Sequence, residues 1–306
     1  MPHSDIHHNE TVVSPFAKDL RECYEHLGGD VRLLDTEDVE HALTEAYVRA
    51  YLTNTEPDVD YSPASVLAEP ANRWLEDMRV SVNMDYSQFA EGTREGVART
   101  SEAVEGLIAG WTEEKPSFAA VLEREQAAFG SSRRHALLHF GRLAAKSLEA
   151  GDLLAVANYR HNKIFTEVEI LTHHFAKAGV PEAQIAAEIN AFWEWPGNRQ
   201  RPNVKIFSYL LAALARKVAS GQKGVSPGFM NDARVISTYA PYLDAMFLDK
   251  ECAALLAEKP LRHELDYRAQ IFSYNHQDAF LAYLNDIEQA TPDDVRGYAE
   301  MIYGVN

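Results

Sequence analysis

Apolar residues recur along most of this chain every three or four positions, the interval that puts side chains on one face of an α-helix. In Asp38–Leu52 the stripe is Val39, Ala42, Leu43, Ala46, Tyr47, Ala50 and Tyr51, with Thr36 ahead of it as a capping hydroxyl. The same period predicts helices over Ser87–Leu107, Ser117–Phe129, Arg133–Gly151, Asn158–Gly179, Pro181–Trp193, Val204–Ser220 and Asn231–Ala240. Ser117 suits an N-cap, and Pro181 suits a first turn, where its missing N–H has no intrahelical partner to lose. Breaks fall at Asn54–Pro63, at Trp193–Asn203 and at Gly221–Gly228, where Pro, Gly and Asn gather.

Four short segments depart from the helical period: Val31–Leu34, Arg79–Met84, Ala245–Leu248 and Gln270–Tyr274. Each is apolar or β-branched and bounded by Asp, Asn or Gly, as buried strands are. The last two alternate with helices, the order of strand–helix–strand units in a parallel sheet. The expected fold is therefore α/β, a parallel sheet flanked by helices and mostly helical by content, with an all-α chain as the alternative. The 306 residues suffice for one large domain, with residues 1–78 as a possible helical extension at its front.

The net charge of −17 argues against a broad basic face for nucleic acid, since phosphate contacts need clustered Lys and Arg. It leaves room for local handling of a phosphodiester around a metal ion. The basic residues Arg199, Arg201, Lys205, Arg216, Lys217 and Lys223 lie on the approach to Asp232, either as phosphate contacts or as a solvated face. Trp193 and Trp195 could stack on a base or wedge a helix end against the core. No stretch is long and apolar enough to span a membrane, no basic-then-apolar leader is readable, and there are two cysteines, Cys23 and Cys252. A reduced, cytoplasmic chain is expected. Cys252 reads as core, Glu169 and His173 as a surface pair one turn apart, and His3, His7 and His8 as a frayed terminus. No phosphate-cradling glycine loop and no nucleophile elbow occurs.

The candidate chemistry is acidic. Asp232 would sit in the first turn of the Asn231–Ala240 helix, and Asp249 would follow the strand Ala245–Leu248. Helix N-termini and strand C-termini of a parallel sheet share one edge, so the two carboxylates are expected on one rim. Carboxylates brought together repel unless a cation sits between them, and an all-oxygen site suits Mg²⁺ or Mn²⁺. The bland alternative is that Asp232 helps the start of a helix and Asp249 marks a turn.

The run ND-x-x-x-I-x-x-x-A-x-x-x-D-x-x-x-x-D from Asn231 to Asp249, followed by the helix CAALL and the strand–helix IFSYNHQDAFLAYL, resembles the C-terminal half of PIN-domain-like proteins. The resemblance spans about Val204–Ile287. It implies a metal-dependent ribonuclease-like fold, a nuclease hydrolysing RNA, with Asp232 and Asp249 as metal ligands and Asp244 as an additional acid. It also implies an acid after an early strand, either Asp35 in VRLLDT or Asp85 in VSVNMDYS, the latter preferred as a third metal ligand, and an acid on a later helix, Glu125 or its neighbour Glu123. The rival expectation is a PIN-like or helical interaction module without catalysis.

Overall fold

The computed structural model describes residues 2–28, 31–68, 87–160, 162–222 and 228–297. In chain order these form α1 (Asp5–Val13), α2 (Ala17–Gly28), α3 (Thr36–Thr53), α4 (Ser87–Glu114), α5 (Phe118–Glu149), α6 (Leu153–Arg160) and α7 (Lys163–Lys177). Then follow α8 (Glu182–Glu194), α9 (Pro202–Ala219), α10 (Phe229–Tyr239), β1 (Ala245–Leu248), α11 (Lys250–Ala257), α12 (Leu261–Glu264), β2 (Gln270–Ser273) and α13 (Gln277–Ala290). The described chain is thus predominantly helical, with one small sheet. The sheet is parallel, in the register Ala245–Gln270 to Leu248–Ser273, and α11 and α12 make the crossover. Among the described residues no helix is long and apolar enough to cross a membrane.

The most apolar predicted helix forms the axis. In α9, Ile206, the run Tyr209 to Ala215, and Val218 are all buried, so nearly every side of the helix meets another element. Such a helix cannot face solvent without exposing apolar surface, and α4, α5 and α10 cover it. Around it lies one core that continues through Ile236 and Tyr239 of α10, Met246 of β1 and Leu255 and Leu256 of α11. A second core joins α3, α7 and α8 through Leu43, Tyr47, Leu171, Phe175, Phe192 and Trp193.

Several predicted boundaries move. Ser117–Phe129 and Arg133–Gly151 are one continuous helix, α5. Ser131 and Ser132 do not interrupt it, because their hydroxyls donate to the carbonyls of Ala128 and Phe129 within the helix. Gly130 serves packing: a Cβ there would lie 2.7 Å from the carbonyl oxygen of Trp193. Asn158–Gly179 instead divides into α6 and α7, because the Asn162 side chain accepts from the N–H of Ile164 and starts a new helix. Of the predicted strands, the last two form. In Val31–Leu34 only isolated bridges form, Arg32 with His3 and Leu33 with Leu67, since His3 is followed at once by α1 and Leu67 comes directly after a short helical turn at Pro63–Val66. Arg79–Met84 lies outside the described residues.

α1, unforeseen in the sequence, is pinned to the body. The Asp5 carboxylate accepts from the N–H of Thr36 (3.1 Å) and from its hydroxyl (2.9 Å), so it caps α3 from across the chain. Ile6 is buried, and the Ser4 N–H donates to Nδ1 of His7. The terminal histidines are therefore part of ordered structure rather than a frayed end, and α1 lies over the sheet rim where Asp232 and Asp249 sit.

Candidate functional site

Asp249 directly follows β1 and is the N-cap of α11, its side chain accepting from the N–H of Cys252 at 2.6 Å. That bond satisfies an N–H with no intrahelical partner and places the carboxylate where the helix dipole favours negative charge. Asp232 stands in the first turn of α10, held there because Ala233 and Ile236 bury the other side of the helix. Pro241 comes just after α10, and the chain turns at once into β1. Two helix starts and a strand end thus meet, and a carboxylate oxygen of Asp232, one of Asp249 and the Cys252 sulfur all lie within 4.8 Å of one another.

Two like charges this close resist full ionisation. The Asp232 carboxyl is pushed up to about 7, first by burial, then by the negative Asp249, the hydrogen bond it shares with Asp249, and the nearby Glu10. Cys252 is fully buried, and its thiol is pushed up by burial and then by the same two aspartates, so it stays protonated at neutral pH. The grouping therefore offers two oxygen donors and a reluctant sulfur.

The rim opens into a cleft of about 480 Å³ walled by α1, α10, β1, α11 and α13. His7 and Glu10 face it from α1, and Glu10 accepts a hydrogen bond of 2.9 Å from the Asn231 side chain, one residue before Asp232. His7 is lowered by burial, with Glu10 and Asp5 opposing that shift. These two residues were not legible as site candidates, because nothing local to residues 7 and 10 signals an approach to residue 232.

The remaining sequence candidates are dispersed. Asp244 borders the same cleft but is exposed and paired with Arg268, whose Nε donates to it at 2.7 Å. Glu125 lines a separate cleft beside Glu40, Arg133 and Arg234, and burial raises its carboxyl with Arg124 opposing. Glu123 is exposed and paired with Arg199. Asp35 is the N-cap residue of α3 and lines a third cleft with Asp5 and Asp38. Asp85 lies outside the described residues, as does Lys223.

The basic approach to Asp232 also resolves differently from a free phosphate-binding face. Arg199 pairs with Glu123, Arg216 with Glu258 and Lys217 with Glu251. Arg201 is buried, its Nε donating to Asn198 and its Nη1 to Thr44, and burial lowers it to about 9 with the neighbouring Arg133 adding to the effect. Trp193 is a core wedge whose Nε1 donates to the buried Glu167 at 3.0 Å, and Trp195 stacks on Phe192. Compared with protein-family models, curated proteins and solved structures, the chain matches none.

Proposed function

We propose that Asp232 and Asp249 hold a divalent cation, Mg²⁺ or Mn²⁺, and that the chain is a PIN-like, metal-dependent nuclease acting on single-stranded RNA. The observation that carries this reading is the approach of two carboxylates from separate elements to one rim, within 4.8 Å and with Asp232 pushed up to about 7. Hard carboxylate oxygens suit such an ion, and Glu10 lines the same cleft from α1, outside the group that Asp232 and Asp249 form. The buried, protonated Cys252 thiol would pack beside such an ion rather than ligate it. When bound, the cation supplies an electrophile for the phosphodiester and an activated water.

The chain's own residues then have separate tasks. Asp249 would keep its capping bond from Cys252 on one oxygen and leave the other for the cation. Asp232, which shares a hydrogen bond with Asp249, would release its proton to solvent in order to hold the cation. Glu10, fixed by Asn231, orients toward the same space. Among the described residues no Lys or Arg lines the cleft, so a phosphate is repelled until the carboxylates are neutralised.

The test is cleavage of single-stranded RNA in Mn²⁺ by wild type and Asp249→Asn. Asn is as good an N-cap as Asp, so the substitution removes charge and leaves α11 in place. Loss of about 100-fold or more in activity is expected, on the scale of removing one electrostatic stabiliser from a reaction centre. Equal activity of the two proteins sinks the assignment. A non-catalytic interaction module is the second reading, favoured by the ion-paired state of Arg199, Arg216 and Lys217; it predicts no cleavage by either protein.

A further inference from the structure

We propose that the cleft over β1 binds a small hydrophobic cation, its apolar body against the sheet and α13 and its ammonium group toward Asp232 and Asp249. Three independent features of the cleft point there. Its volume of about 480 Å³ is that of a small-molecule site. Its walls are mainly apolar, with Ile6, Val235, Met246, Phe280, Tyr283 and Leu284 contributed by four different elements. Its charged lining is of one sign: Glu10, Asp232, Asp244 and Asp249 face it, and among the described residues no Lys or Arg does.

The outer wall is unfinished. None of α13 is buried, and Leu284 and Ile287 remain 44% and 47% exposed beside the cleft, as does Phe247 of β1 at 44%. Apolar surface gathered at the mouth of a cavity is what a ligand's hydrocarbon body would cover. The Phe280 ring stands 5.2 Å from Phe247 and 5.3 Å from Phe272, giving aromatic faces to an arene or to a cation.

Charge chooses among apolar ligands. The negative charge of Asp244 is answered by Arg268, whereas Asp232 and Asp249 converge with Glu10 beside them. A carboxylate or phosphate ligand would add another negative charge to this group without a basic partner. A neutral ligand would desolvate the acids and give them nothing in return. An ammonium group donates to them and offsets their mutual repulsion. The inference goes beyond the nuclease reading and does not need it, although amine and metal ion would contend for the same two carboxylates.

The experiment is calorimetric titration in EDTA with three probes of one shape: phenethylamine, phenethyl alcohol and phenylacetate. The amine is expected to bind at least about tenfold more tightly than the alcohol, the minimum for a charge-assisted hydrogen bond, and phenylacetate more weakly than either. Leu284→Arg, at an exposed position that leaves the core intact, should abolish the preference for the amine and favour phenylacetate. Asp232→Asn should weaken the amine and leave the alcohol unchanged. Absence of amine binding, equal affinity for amine and alcohol, or an amine preference unaltered by Leu284→Arg overturns the inference. Because the titration excludes metal and RNA, failed RNA cleavage leaves it standing. Cleavage without amine binding overturns it alone.

Discussion

Replacing Asp232 by Asn should leave stability unchanged at about pH 4 and raise it progressively as pH climbs to about 7, with the full gain above that. The carboxyl rises from 3.8 to about 7 on folding, because burial and Asp249 both disfavour its charge. Between those values the folded protein holds a proton that the unfolded chain has released. Stability is therefore greatest on the acid side of the window and is lost as pH rises through about 7. At about 1.4 kcal/mol per unit the shift sets a ceiling of about 4 kcal/mol, and solvent screening of a partly exposed group reduces it to about 1–2 kcal/mol. Asn resembles the protonated acid in shape and can still donate to Asp249. Urea unfolding should thus show the variant ahead by about 1–2 kcal/mol at about pH 8.5 and level within about 0.5 kcal/mol at about pH 4. Equal differences at the two pH values, or a less stable variant in alkali, would refute the proximity of the two carboxylates.

Other perturbations probe the frame that holds the site. Glu167→Gln leaves Arg133 without the carboxylate its Nε meets at 2.8 Å and weakens the bond from Trp193, so urea unfolding should report a loss of about 3–5 kcal/mol, the usual cost of breaking a buried pair. Although burial alone would raise the Glu167 carboxyl, Arg133, Arg201 and the hydrogen bonds hold it low, so the wild-type advantage over Gln should shrink as acid protonates it. Gly130→Ala puts a methyl 2.7 Å from a backbone oxygen, and thermal unfolding should show about 1–3 kcal/mol of destabilisation from overpacking between α5 and α8. Native protein should expose one thiol to a disulfide reagent, Cys23, and denatured protein two, because Cys252 is buried and protonated.

The part of the site carried by nearby elements is legible in the amino-acid sequence. Asp232 at a helix start, Pro241 as a stop, and Asp249 between a short apolar run and a helix are local signals, and β1, α10 and α11 follow them. The long-range part leaves no such trace. Glu10 reaches Asn231 from 221 residues away, and α1 is anchored through a cap on α3 that no periodicity announces. Arg201 shows why charge in a loop misleads: the turn Pro196–Gln200 folds it beneath α3, where Thr44 and Asn198 take its hydrogen bonds. Glu125 misleads in the opposite way, lying beside an apolar stripe yet facing a different cleft. That the described residues form one small sheet among many helices follows from the same limit, since strand partners are set by tertiary contact rather than by local pattern.

The centre itself is tested most directly by titrating Mn²⁺ and counting the free ion by its electron paramagnetic resonance signal. Wild-type protein should bind one Mn²⁺ at the Asp232–Asp249 rim, with Asp232→Asn and Asp249→Asn each weakening it at least about tenfold and Asp244→Asn leaving it within about twofold. Mn²⁺ binding that is absent in wild type, or equally strong in all four proteins, would contradict the assignment of these two carboxylates to a metal.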